Sequence, residues 1–386
     1  MHSIKIARVL LLLLSVALHA QVRIPGPGGA ATAATVCTPY TGYLHCRKLT
    51  IDHTQVPSTQ TNFPLTLSGG FTLGSSRLQN ASGFDAVFNS DAGATTLIPW
   101  EVESVNQSTG AMVVHVLVAS LSSSADTSIY VSYDNSGIST AQNTGANGPT
   151  HVYDSNYKRI HHLADNAGTT AVVDSTTTAN GVSSVNTSTL TTTGELNGGF
   201  NLSNAGYNSG TKWFSASSIT FSGATAPWTI SAWFKTTTGS GIITGFRNST
   251  NASPLIEIEL GGGGTFDGKV YFSVRDDSSV GYTQINSTGT FNDGNWHYAV
   301  GTRDSSKNLI LYVDGTSVAT GTDSMGTSMT FDSDADFGSD QRNGTYIVGS
   351  MDEARVSFTN RSANWITTET NNQKPSSTFV TVGAEQ

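Results

Sequence analysis

The chain has 386 residues; only 12% are charged, Gly alone accounts for 40, and aromatics make up 9%. That composition excludes a disordered tail, which is poor in aromatic and β-branched residues, and a coiled coil, in which Glu, Lys, Leu and Ala dominate. The net charge of −9 argues against nucleic acid and anionic membranes, which are held by basic patches, and suits neutral ligands such as glycans, or divalent cations.

Lys5 and Arg8 precede an apolar run from Val9 to Leu18, and Ala20 offers a small residue before Gln21. A charged start, a short apolar stretch and a small-residue exit form the pattern of a secretory signal peptide, expected over 1–20. The run is shorter than the about 20 apolar residues that span a bilayer. No later stretch is apolar enough, so the mature chain is expected to lack a transmembrane segment and to be secreted to the medium, the cell surface or the periplasm. Residues 21–36 are rich in Pro, Gly, Ala and Thr without periodicity and read as a flexible leader. Cys37 and Cys46 are the only cysteines. In an oxidising compartment an isolated pair is read as one disulfide, with two free thiols as the alternative.

From 37 to 135 short apolar runs alternate with turn residues. Strands are expected at Lys48–Ile51, Phe63–Leu67, Phe84–Phe88, Val113–Val118 and Ile129–Tyr133, and no helix. Residues 136–150 are polar, rich in Gly, Asn, Ser and Thr, and read as a linker. From 151 to 386 the pattern is again that of strands. In Trp228–Lys235, Trp228, Ile230, Ala232 and Phe234 share one face and Trp233 lies on the other, so both faces are expected to be covered. Asn295–Val300 alternates in the same way. Leu309–Val313 and Thr316–Ala319 flank Asp314-Gly315, the pair a type I′ hairpin turn requires. Asn360–Asn371 is the one helical stretch, with Trp365 and Ile366 as apolar anchors, and Thr378–Val382 closes the chain as a strand. The fold class expected is all-β, two β-sandwiches in tandem.

Several stretches of the second block carry a resemblance. They are His161-His162-Leu163 with Asp174-Ser175 and Asn180-Gly181, then Gly198–Leu202, then Trp228–Lys235. Asp293–Val300 followed by Leu311–Gly315, and Gly349–Val356 with its Asp-Glu-x-Arg strand, complete the set. In this order and spacing they resemble the laminin G-like family of concanavalin A-like jelly rolls. The first block resembles a different family, an uncharacterised bacterial domain that often precedes laminin G-like modules in exported proteins. The matching residues are Arg47–Asp52, Asn62–Leu65, Asp85–Phe88, Leu97–Glu103 and Ile129–Asn135. The resemblance implies a C-terminal jelly roll that binds carbohydrate, and no assigned chemistry for the first domain.

Glycoside hydrolases built on the jelly roll carry three acids alternating on one strand. Glu257-Ile-Glu259 supplies two at spacing i, i+2, on one side of a strand, but no third acid follows, so both read as solvent-facing residues of an edge strand. Asp332, Asp334 and Asp336 alternate, and if extended would share a face and repel unless a cation such as Ca²⁺ sat between them; a solvated acidic loop is the other reading. Asp352 falls in phase with Ala354 and Val356 and is expected to face the core, held by backbone N–H groups, a basic partner or a cation. Asp174, with Asp165 and Asn180, sits in a loop where family members often hold Ca²⁺. The metal set expected is therefore Asp332, Asp334, Asp336, Asp352 and Asp174. His161, His162 and His297 lack the spacing of a zinc site and read as structural. Tyr207, Trp213, Tyr282 and Tyr346 fall near strand ends, where an exposed ring can stack on a sugar. No catalytic residue is assigned. The sequence points to an exported protein that binds a polysaccharide or a glycoprotein glycan. A glycan-active hydrolase or lyase, and a self-associating structural surface or matrix protein, are the alternatives.

Overall fold

The structure is a computed structural model that describes residues 37–176, 180–203, 211–216, 219–247, 253–261, 267–278, 281–331, 335–337, 339–340, 345–374 and 378–386. The expected signal peptide, the leader, Tyr207, Asp332 and Asp334 lie outside these residues. The described fold is all-β, with one α-helix among the described residues, Ala363–Gln373.

The first sandwich packs a four-stranded sheet on a three-stranded one. The first runs in the order Val380–Val382, His45–Ile51, Thr127–Tyr133, Ala86–Asn89, and the second in the order Gln60–Leu67, Ala111–Leu121, Trp100–Asn106. Phe63, Leu65, Val114, Val116, Leu49 and Val131 alternate inward from both sheets and form its core. Cys37 and Cys46 are joined in a disulfide that pins the start of the described chain to the strand His45–Ile51.

The second sandwich packs two eight-stranded sheets face to face. One contains Gly349–Ser357, Trp228–Thr236, Trp296–Arg303, Asn308–Val313 and Thr316–Thr322 as successive neighbours. The other runs in the order Thr283–Thr290, Lys269–Arg275, Leu255–Leu260, Gly241–Arg247, Ala335–Phe337, Phe214–Ala216, Gly181–Ser183, Ala171–Val172. Trp228, Ile230, Ala232 and Phe234 enter the core between them, as their alternation requires. Trp233 faces the opposite way and packs with Tyr298, Val300, Tyr312 and Ile366. Asp314 (φ 53°) and Gly315 (φ 80°) both adopt the left-handed backbone that a type I′ turn demands.

The end of the chain does not stay with the second sandwich. The helix is capped by Ser362, whose Oγ accepts the Trp365 N–H at 3.1 Å, and its two apolar anchors part company. Ile366 enters the cluster around Trp233, whereas the Trp365 ring lies 5.2 Å from that of Phe63 in the first sandwich. Asn372 pairs with the Thr66 backbone, accepting from its N–H and donating to its carbonyl, both at 2.8 Å. Val380–Val382 then adds an antiparallel strand to His45–Ile51. From the other side, Val152, Tyr153, Tyr157 and Ile160 also join the first core. No helix among the described residues is long and apolar enough to cross a membrane.

Candidate functional site

The outer face of the second sandwich's sheet centres on Leu255–Leu260, which has Gly241–Arg247 on one side and Lys269–Arg275 on the other. It is an interior strand, so Glu257 and Glu259 are not the solvent-facing residues of an edge strand that the sequence suggested. Ile256, Ile258 and Leu260 take the core side. The pleat turns Glu257 and Glu259 to the other face, where they are only 4% and 9% exposed. Glu257 stands opposite Gly245 and Ser273, and Glu259 opposite Ile242 and Tyr271. Gly245 is required there: a Cβ would come within 2.9 Å of the Cα and Cγ of Glu257.

Arg247 reaches back along this face to Glu257, Nη1 to Oε1 at 3.4 Å. On the far side of Ser273, Gln284 Nε2 donates to Ser273 Oγ at 2.9 Å, and the Tyr282 hydroxyl donates to the same oxygen at 3.4 Å. The Arg275 guanidinium lies over the Tyr282 ring, 4.7 Å from its centroid. Tyr282 remains 44% exposed. Its hydroxyl is raised above the ordinary value by partial burial and by the Glu259 and Glu257 carboxylates. The result is a sheet face on which two buried carboxylates, two half-buried guanidiniums and an amide gather beside an accessible ring, a donor and acceptor set suited to sugar hydroxyls.

The structure distributes the other expected ligand residues. Trp213 is half-buried immediately before Phe214–Ala216. Five strand steps separate that strand from Thr283–Thr290, roughly 24 Å at about 4.8 Å per step, so Trp213 and Tyr282 do not serve one sugar ring. Tyr346 is half-buried in Thr345–Tyr346, opposite Ser339. Of the three described candidates, Tyr282 alone is placed on the face around Glu257 and Glu259. Those two acids, which the sequence suggested as edge-strand residues, share this face with Arg247, Arg275 and Gln284, which the sequence reading did not single out. The two-faced alternation in Leu255–Leu260 was the available signal.

Among the described residues, the expected metal residues Asp336, Asp352 and Asp174 do not gather either. Asp336 lies in Ala335–Phe337, in register with Ser215 and Gly245 in one sheet, whereas Asp352 lies in Gly349–Ser357 in the other. Asp174 Oδ1 accepts the N–H groups of Ile160 and Thr176, at 3.1 and 2.9 Å, and the Thr176 hydroxyl at 2.8 Å, ordering its own turn. The neighbouring candidates behave alike: Asp165 accepts from Val173 N and Asn180 from Asp174 N, each at 3.2 Å.

Asp352 does not face the core. A bulge at Glu353, which adopts φ 51°, shifts the register opposite Ser231 and Trp233 and reverses the side-chain phase. Met351 and Ala354 therefore both enter the core, while Asp352 pairs with Trp233 on the outer side. It is fully buried there. Its Oδ2 accepts from Glu195 N at 2.8 Å and Leu196 N at 3.0 Å, while Oδ1 has no hydrogen-bond partner. Burial first, then the Glu353 and Glu103 carboxylates, push Asp352 well above the usual carboxylate range.

The same bulge turns Glu353 toward the first sandwich, into a buried polar cluster at the junction. His162 Nδ1 lies 2.7 Å from Glu353 Oε1. Its Nε2 lies 3.1 Å from the Tyr153 hydroxyl and 3.3 Å from Glu101 Oε2. The His162 ring stacks on that of His115, with centroids 4.1 Å apart. His115 Nε2 is 3.0 Å from Glu103 Oε2 and its Nδ1 is 3.0 Å from Thr66 Oγ1. Arg355 joins Glu353 and, at 2.6 Å, Glu369 of the helix. Burial opposes every charge here. Even so, Glu353 and Glu101 hold the His162 imidazolium well above the ordinary value, and His162 and Arg355 hold Glu353 well below it. His161 turns the other way, to the Val173 carbonyl at 2.8 Å and the Phe214 ring. His297 is fixed by Asp314 and Asp293, at 2.8 and 3.1 Å.

Residues 208–367 match the family described as the concanavalin A-like lectin/glucanases superfamily, Laminin_G_3. The matched stretch lies in the second sandwich, which is similar over 208–367 to the laminin G-like, concanavalin A-like class. No curated protein matches the sequence. Among solved structures, the chain resembles the binding domain of Paraclostridial Mosquitocidal Protein 1, with 13% identity, TM-score 0.39, 56% of this chain and 52% of that one covered. It also resembles the Botulinum neurotoxin serotype D ligand binding domain in complex with N-acetylneuraminic acid, with 12% identity, TM-score 0.42, 58% of this chain and 53% of that one. A third is the Ruminococcus gnavus IT-sialidase CBM40, with 17% identity, TM-score 0.31, 40% of this chain and 97% of that one. The match thus spans about half the length of the two toxin domains.

Proposed function

We propose that the chain is an exported protein that binds glycans, polysaccharide or glycoprotein-borne, on the outer sheet face around Leu255–Leu260. The observation that carries this reading is the joint placement of Glu257, Glu259, Arg247, Arg275, Gln284 and Tyr282 on one face. Charged and amide groups satisfy vicinal hydroxyls through paired hydrogen bonds, and the accessible Tyr282 ring stacks against the apolar face of a pyranose. The family match of residues 208–367 supports it, since lectins belong to that superfamily by description. The disulfide between Cys37 and Cys46 suits an oxidising compartment outside the cytoplasm. Calcium remains part of the proposal, as a dependence to be measured.

A glycan array probed with the whole chain, in calcium and in EDTA, tests the reading. Tyr282→Ala is expected to weaken binding to the best glycan about tenfold, on the order of the 1.4 kcal/mol that corresponds to that factor. No glycan bound by the wild type above background, in either condition, would sink it.

The second reading, a glycan hydrolase, rests on Glu257 and Glu259 lying two residues apart on one face of an interior strand. A retaining pair needs carboxyls about 5 Å apart, one of them protonated. Release of reducing ends from a bound glycan, abolished by Glu257→Gln, would select this reading over simple recognition.

A further inference from the structure

We infer that Glu103, His115, His162 and Glu353 form a binding site for a divalent transition-metal ion of the zinc class, clamped between the two sandwiches. The ligand atoms of these four side chains all lie within 4.8 Å of one another. Glu103 and His115 come from the strands Trp100–Asn106 and Ala111–Leu121 of the first sandwich; Glu353 comes from Gly349–Ser357 of the second, and His162 directly follows Tyr157–His161, which pairs with that strand. Two imidazoles and two carboxylates make up a donor set that suits zinc and its neighbours, with bonds of about 2.0–2.2 Å that draw the four atoms inward.

The groups that hydrogen-bond to these four side chains hold them as a metal site needs. A ligating imidazole is oriented by a hydrogen bond from its other nitrogen to an oxygen. His115, facing Glu103 through Nε2, engages Thr66 Oγ1 through Nδ1. His162, facing Glu353 through Nδ1, engages Glu101 and the Tyr153 hydroxyl through Nε2. Glu103 is braced by Asn197, whose Nδ2 donates to Oε1 at 3.1 Å, and Glu353 by Arg355. Beside the cluster, Asp352 keeps a buried carboxylate oxygen without a partner. Carboxyl groups that crowd a dry junction repel, and a cation offsets that repulsion. The ion takes the place of two shared protons: the one between His162 Nδ1 and Glu353 Oε1 leaves to solvent, and the one between His115 Nε2 and Glu103 Oε2 leaves likewise or moves to His115 Nδ1, which then donates to Thr66 Oγ1. A cleft of about 180 Å³ lined by Glu101, Glu103, His162, Asp165 and Ser175 gives access.

The test uses the full chain, stripped with a chelator and titrated with zinc chloride, with bound metal measured by elemental analysis after desalting. One zinc per chain and a melting temperature raised by several degrees are expected. So is a cobalt(II) form with the intense visible bands of a tetrahedral centre, a readout on the wild type that no variant's folding can confound. His115→Gln and His162→Gln should each lose the ion. The exposed trio Asp52, His53 and Asp126 is the competing site, so His53→Ala should retain it. Zinc lost from His53→Ala but kept by His115→Gln, weak octahedral cobalt bands, or no metal held through desalting would each overturn the proposal.

Discussion

At the scale of single residues, neighbours set the ionisation of several side chains. Glu195 is the clearest surface case: burial, then the Asp314 carboxylate, push its carboxyl from 4.5 up to about 7. A group raised on folding contributes stability that is present below its unfolded pKa and lost as pH rises through the folded one. The native state therefore holds a proton on Glu195 that the unfolded chain has released above about pH 4.5. Wild type should lose stability between about pH 4.5 and 7 through this group, and Glu195→Gln should lose less over the same interval. Urea midpoints at several pH values for both proteins measure the difference; parallel profiles would show that Glu195 is not held this way. The Glu353 bulge is a second lesson at this scale. A single residue at φ 51° changes the phase of its strand and decides that Asp352 and Glu353 leave the core for the junction.

At the scale of elements, the last strand and the helix tie the two sandwiches together. Phe379 is 1% exposed and belongs to the first core, although it follows the whole second sandwich in sequence. Its carbonyl accepts the Asp52 N–H at 3.0 Å, which sets the register of Val380–Val382 on His45–Ile51. Removing a buried phenylalanine side chain costs about 3–5 kcal/mol, as lost burial and an uncollapsed cavity. Phe379→Ala should therefore destabilise the first sandwich, and exchange of the amides in His45–Ile51 should speed up before those of the second sandwich's central strands. Unchanged protection of His45–Ile51 in that variant would show that the strand is an ornament. The helix itself was recognisable from Trp365 and Ile366, but a linear pattern does not show that adjacent residues point into different cores.

At the scale of the whole molecule, the segment 136–150 reads as a linker, yet the surroundings of the junction bind the halves together. Tyr153, Tyr157, Trp365 and Phe379 lie in the first core, and across the boundary Glu101 pairs with His162 and the His115 ring stacks on it. Splitting the chain there would leave buried charges without partners, which costs about 3–5 kcal/mol for each broken pair. One cooperative unfolding transition is expected for the full chain, and poor folding of 37–150 or 151–386 expressed alone. Calorimetry that resolves two transitions, each reproduced by an isolated fragment, would show that the junction is weak.

Local chemistry was enough for part of this. Strands appear wherever apolar residues alternate, because the pleat has a period of two. Asp314-Gly315 makes its turn because few residue pairs accept positive φ twice. The two faces of Trp228–Thr236 are both covered because tryptophan sits on both. Other features depended on distant parts of the chain. Glu257 and Glu259 looked like edge residues until both neighbouring strands were placed beside them. Of the aspartates in the metal reading, Asp336 and Asp352 lie in different sheets, while four side chains that do converge come from positions 103, 115, 162 and 353. Spacing along the chain carries no signal for such a set, because it is assembled by packing one sandwich against another. That packing was decided by a bulge, a returning strand and a helix with two buried faces, each a consequence of contacts between residues far apart in sequence.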